Sequence, residues 1–321
     1  MSLDRAKQPF KASLWLMLAT VFWGLSFLSM KALVMTQEKL LPEGSTWFFA
    51  SLSIVVRFAV AGLILFFLCL PTLRKLTRLE LWQGAGLALF GSIGLLFQMD
   101  GVNYTSASTS AFLTQFYCLI LPFVQAVREH RRPPALILLA SVLVLSGMAI
   151  LVKFDWREMR LGRGEWETIL ASLFFTGQIL WLERPKFAAN NASRTTLVMF
   201  LGSALVILPV ALYHAGTPSD LWRVYQSGPA ILFTGILILF CTLAAYYMMN
   251  RWQPEVTATQ AGLIYCAEPV FTSLFALCLP AVFSQWAMIQ YANETLTPHL
   301  ILGGGLILTA NVMIITQAAR R

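Results

Sequence analysis

Charge is what this chain lacks. Of its 321 residues only 12% are Asp, Glu, Lys or Arg, about half the roughly 25% of an average soluble domain. A soluble protein of this length could bury a large core, but it would still need a charged skin, and too little charge is present to make one. Motifs of catalysis are missing as well. No GxxxxGK[ST] loop occurs, which argues against an ATP-driven pump on this chain, and neither HExxH nor GxSxG is found. The three histidines, His130, His214 and His299, lie in or near loops and far apart. A membrane enzyme would need a nucleophile–base pair or a metal cluster at membrane depth, and nothing supplies one. The expectation is therefore a non-enzyme without cofactor or metal. Five cysteines, an odd number without a CxxC pair, indicate no disulfide framework.

What is present is apolar sequence: 58% of residues are hydrophobic and the mean hydropathy is +0.70. Ten apolar segments fall near 12–35, 46–70, 79–100, 105–127, 134–152, 166–184, 195–214, 228–249, 256–279 and 299–317. Each is long enough to cross about 30 Å of hydrocarbon as a helix. The fold class expected is an all-α integral membrane protein of ten transmembrane helices. The first apolar run is long and lacks a small-residue cleavage site, so it reads as the first span and not as a removable signal.

The net charge of +8 could suggest nucleic acid, but the positions of the basic residues speak for topology. Alternate loops starting from the N-terminus hold 15 Lys and Arg residues, among them Arg74, Lys75, Arg128, Arg184 and Arg251. The other loops hold about seven, among them Lys39, Lys153, Arg157 and Arg223. By the positive-inside rule both termini are cytoplasmic, with no nucleic-acid partner.

The two halves resemble each other. "LATVFWG" (18–24) aligns with "LASLFFT" (170–176), and "SASTSAFL" (106–113) with "TATQAGLI" (257–264), at offsets of 152 and 151. Glu129 with Pro133 aligns with Glu294 and Pro298 at an offset of 165, which implies an outer-surface insertion near 280–293. The halves are 1–155 and 156–321. Five spans per half make the second repeat enter the membrane from the opposite side, an inverted-repeat architecture that favours a transporter.

At membrane depth a few polar residues stand out. Glu268 and Pro269 sit inside an apolar stretch (257–279). A carboxylate there should face protein or a wet cavity; it reads as a substrate-ammonium or proton-coupling group, or as a hydrogen-bonded tie to a neighbouring helix. Pro269 should kink its helix and free the Tyr265 carbonyl, and Pro122 should do the same for Cys118, the two bends differing by about one turn. Arg57 reads as a carboxylate ligand or as a structural anchor. Trp23, Phe27, Tyr117, Trp181, Tyr246 and Tyr265 could wall a cavity or simply pack. Gln98, Gln115 and Gln178 need partners away from lipid, in a cavity or between helices. Lys31 and Asp100, near the outer ends of their spans, could form a vestibule ion pair.

The segments "FWGLSF" (22–27), "VRF" (56–58), "GVNYTSASTSAFLTQFYCLILP" (101–122), "VTATQAGLIYCAEPVF" (256–271) and "GGGLILTANV" (303–312) cover both halves. In these the chain resembles the drug/metabolite transporter superfamily, in its ten-helix EamA type. The resemblance implies an inner-membrane efflux carrier of two inverted five-helix repeats, with a central cavity lined largely by helices 1, 3, 4, 6, 8 and 9. It implies amino acids, other metabolites or drugs as substrates. The function expected is a secondary exporter of small metabolites such as amino acids or related amphipathic compounds. Its partners are that solute, the lipid bilayer and a coupling ion or exchanged solute. The alternative is a non-transporting membrane sensor or assembly subunit, for which the sequence offers no large soluble signalling domain.

Overall fold

The computed structural model describes residues 8–101, 104, 110, 113–130, 132–151 and 162–319. Among these residues every regular element is helical. The first half runs through α1 (Pro9–Leu40), α2 (Thr46–Cys69), α3 (Arg78–Gly101), α4 (Tyr117–Glu129) and α5 (Ala135–Leu151). The second half opens with α6 (Arg163–Leu182) and α7 (Ala192–His214). Next, α8 (Gly228–Ile236) widens into a π-helical stretch (Leu237–Ala244) and re-forms as α9 (Ala245–Trp252). Then follow α10 (Ala258–Tyr265), α11 (Glu268–Ala276), α12 (Leu279–Ala287) and α13 (Pro298–Ala319).

Among the described residues, six helical segments are long and apolar enough to cross a membrane, and the run from Ala258 to Ala287 makes a seventh if its 58° bend is counted within one span. Tyr117–Arg128 and Ala135–Leu151 are shorter apolar helices. Most of the expected fourth span before α4, the boundary at 155/156 and the basic residues Lys153, Arg157 and Arg160 lie outside the described residues.

Local sequence sets the helix starts. Ser45, Asn191 and Ser227 each accept a backbone N–H from the first turn of α2, α7 and α8, and Thr257 with Gln260 forms a reciprocal capping box on α10. Between helices, where lipid provides no hydrophobic push, close backbone approach does the packing. A Cβ built on Gly147 of α5 would lie 2.7 Å from the Gly303 carbonyl of α13. One on Gly24 of α1 would lie 2.9 Å from the backbone nitrogen of Thr272 in α11. At one end of the bundle, the buried Glu80 of α3 takes both arms of the Arg194 guanidinium, at 2.8 and 2.5 Å, and two backbone N–H groups besides. That bidentate pair, fully hydrogen-bonded, ties α3 to α7.

Three of the contacts between the halves pair like with like, beside those of α3 with α6 and α7 and of α1 with α11. The second helix of one half (α2) packs on the second of the other (α7), and the fifth (α5) packs on the fifth (α13). Likewise α4 packs on α10. Two turns follow the same register: α4 is preceded by a turn at Gln115–Phe116, and α10 is followed by a turn at Cys266–Ala267, an offset of 151. Pro122 follows its turn by six residues and Pro269 by two, so the prolines differ by about one helical turn while the two turns share one register.

The expected insertion is a helix of its own. α12 packs on α1 and ends at Met288, whose left-handed φ of 53° turns the chain. The Met288 carbonyl accepts from the ammonium of Lys39.

Candidate functional site

Helical spacing collects one set of side chains at the centre of the bundle. Trp23, Ser26, Phe27 and Met30 recur at three- and four-residue intervals along one face of α1, as do Phe175, Gln178 and Ile179 on α6, and Tyr246 and Met249 on α9. With Leu95 and Gln98 of α3, Arg57 of α2, and Thr114, Tyr117, Tyr265 and Glu268 beside the two turns, they line a cavity of about 80 Å³. At about 15 Å³ per water, this is room for roughly five waters. The wall is mostly apolar and aromatic. Trp23 meets Tyr265 and Tyr246 edge-on, with ring centroids 5.3 and 5.4 Å apart.

Glu268 stands just after the turn. The sequence led to the expectation of one helix kinked at Pro269; α10 and α11 are separated only by the turn at Cys266–Ala267, whose residues keep right-handed helical angles, and α11 starts at Glu268. Pro269 then occupies a first-turn position, where its missing N–H costs nothing. Glu268 heads α11, at the positive end of the helix dipole. It is partly exposed, lines the cavity, and forms no ion pair with any described residue.

Arg57 is the other charge in the cavity wall. It is 2% exposed, and its hydrogen bonds go to neutral groups: Nε donates to the Thr242 hydroxyl at 3.1 Å and Nη1 to the Met30 thioether at 3.1 Å. An arginine at membrane depth costs roughly 2.5–3.5 kcal/mol on insertion scales, and a thioether is a weak acceptor. Among the described residues no carboxylate pairs with it. Thr242 lies in the π-helical stretch, a distortion that recurs at functional positions.

Of the residues singled out in the sequence, Glu268, Arg57, Trp23, Phe27, Tyr117, Tyr246, Tyr265, Gln98 and Gln178 come together in this lining. Gln98 donates to Thr114 at 3.2 Å. Gln115 is buried at the Gln115–Phe116 turn but does not line the cavity. Trp181 lies outside it too: its indole N–H donates to the Gln83 carbonyl at 3.0 Å, and the Arg184 guanidinium sits over its ring. The Lys31–Asp100 pair is corrected. Asp100 instead binds Arg163 at 2.6 Å and accepts from Thr46 at 2.7 Å, while Lys31 sits over the Tyr291 ring. Thr242, Gln253 and the two turns were missed in the sequence. A threonine in an apolar run carries no signal, since its value depends on which arginine it meets.

Residues 10–153 match the model of the EamA-like transporter family. An uncharacterized transporter of Archaeoglobus fulgidus is 24% identical over 261 residues, covering 80% of this chain and 76% of its own. The first half of the chain thus carries an EamA-like transporter domain. An uncharacterized transporter of Haemophilus influenzae is 25% identical over 109 residues, covering 34% of this EamA-like chain and 61% of its own. A solved crystal structure shares the fold, with a TM-score of 0.68 over 97% of this chain and 98% of that one at 15% identity. This EamA-like protein is therefore a multi-pass membrane transporter for a small molecule, set in lipid.

Proposed function

We propose that the protein is a secondary transporter that exports small metabolites, amino acids or related amphipathic compounds, across the cell inner membrane by alternating access around the central cavity. The observation that carries this reading is a cavity at the centre of the bundle, bordered by one turn from each half, with a carboxylate in its wall that has no ion-pair partner among the described residues. An ionisable residue inside a membrane-spanning bundle marks a substrate or ion pathway.

Ten crossings as two inverted repeats, 1–155 and 156–321 with an outer insertion near 280–293, are part of the proposal. The like-with-like packing of α2 on α7, α4 on α10 and α5 on α13 supports it, because a two-fold axis in the membrane plane maps each of these pairs onto itself. Both termini are then cytoplasmic. Glu268 is the charged group of the site, with Trp23, Tyr117, Tyr246, Tyr265 and Gln98 as its walls and Pro269 and Pro122 beside its bends. Gln115 and Trp181 act from behind the lining, if at all through the helices they brace.

Counterflow tests the reading. Purified protein in vesicles preloaded with an unlabelled metabolite mixture should transiently concentrate at least one labelled amino acid or related metabolite. Folded, correctly inserted protein that produces no counterflow with any of them refutes it.

A further inference from the structure

Trp181, which turns away from the central cavity, organises a second recess. Where α4 and α6 pack together, their C-terminal ends leave an open groove of about 520 Å³, lined by Arg128, Leu180, Arg184, Pro185 and Lys186. The three cations are exposed, and among the described residues none of them forms an ion pair. Trp181 is anchored by its indole bond to the Gln83 carbonyl. Over its ring lie the Arg184 guanidinium, 4.1 Å from the centroid, and the Lys186 ammonium, at 5.5 Å. Such contacts hold a cation through the ring face and leave its N–H groups available to a ligand. Trp82 meets Trp181 at 5.8 Å and is 57% exposed, as suits an indole at a membrane–water boundary.

A cation placed only to set topology needs water and nothing more. Here the cations come from the ends of two helices, one in each half, and line the same groove, and two of them rest on one anchored ring. Leu180 and Pro185 give the groove an apolar side. We propose that this groove binds the headgroup of an anionic phospholipid, with its phosphate held by Arg128, Arg184 and Lys186 and its glycerol end against Leu180. Basic pockets between membrane helices on the cytoplasmic side recognise such headgroups, and the guanidinium fork fits phosphate oxygens. A lipid bound there touches both α4 and α6 and so bridges the two halves of the chain. The cytoplasmic side follows from the topology proposed above; the chemistry of the groove depends neither on that nor on what the central cavity carries.

The experiment uses full-length protein purified in detergent and follows its thermal unfolding. It is titrated with phosphatidylglycerol, with phosphatidylcholine of the same acyl chains, and with inorganic phosphate. Phosphatidylglycerol should raise Tm, with half-maximal effect at a concentration about tenfold or more below that of phosphatidylcholine. The variant Arg128→Gln/Arg184→Gln/Lys186→Gln should lose most of that preference. Arg74→Gln/Lys75→Gln/Arg78→Gln removes three exposed cations outside the groove and should keep it. Equal response of the native protein to both lipids overturns the proposal, as does an equal loss in the two variants, which would reduce the cations to general surface charge. Inorganic phosphate that protects as well as phosphatidylglycerol would make this a free-anion site and overturn the lipid assignment. Should the groove variant not fold, Arg184→Gln alone replaces it and should raise the half-maximal concentration of phosphatidylglycerol several-fold; an unchanged value then overturns the proposal.

Discussion

Gln253 and Tyr265 are joined side chain to side chain: the tyrosine hydroxyl donates to Gln253 Oε1 at 2.9 Å. The glutamine passes the link on, donating from Nε2 to the Ile179 carbonyl of α6 at 2.9 Å. Tyr265 and Ile179 both line the cavity, so this chain of bonds ties two of its walls together. Both side chains are buried, and in such surroundings an orphaned polar group costs about 1–3 kcal/mol.

Gln253→Leu should therefore lower the thermal stability of the purified protein and weaken the seal. The outcome expected is a measurable drop in Tm together with slowed or uncoupled counterflow. Tyr265→Phe should show part of the same effect, and the double variant should be less than additive, with a coupling of about 1 kcal/mol. Strict additivity would mean that the two side chains do not act together.

Glu268→Gln keeps the size and hydrogen-bonding capacity of the side chain but removes its charge. It should insert and fold like the native protein while losing most counterflow, or losing its dependence on pH. Native counterflow by this variant at every pH would reduce the glutamate to a structural group. Pro269→Ala restores a backbone donor, lets α10 and α11 run together, and should slow exchange while leaving the charge in place.

Gly303 of α13 faces Gly147 of α5 so closely that a Cβ on either would strike the other's backbone. Gly303→Leu should force the two helices apart and cost about 1–3 kcal/mol or more, as overpacking does. The same substitution at Gly305, whose Cβ would meet nothing within 4 Å, should leave stability nearly unchanged. Chemical or thermal denaturation of both variants in detergent provides the comparison.

Topology can be read with reporter fusions. Fusions after residues 75, 130, 188 and 252 should report the cytoplasm, and those after 42, 158, 217 and 293 the outside. A reversal at 158 alone would break the division into five spans plus five.

Composition and pattern were enough to determine the solvent of this protein, its helical class and most of its helix positions. Low charge excludes a soluble skin, and an apolar run of membrane length forms a helix whatever its neighbours, because lipid leaves the backbone no other partner. The sequence also marked Glu268 and Arg57, since a charge inside an apolar run is conspicuous without any coordinates. Pairings were a different matter. Asp100 goes to Arg163 and not to Lys31, Trp181 turns away from the cavity onto Gln83, and Arg57 meets Thr242 from 185 residues away. Each depends on which faces of distant helices meet, and linear spacing carries no such information. The turn at Cys266–Ala267 was decided in the same way. Proline removes one hydrogen bond wherever it stands, but whether a helix bends or ends there is set by the neighbours that take up the freed backbone groups, and those belong to the assembled bundle.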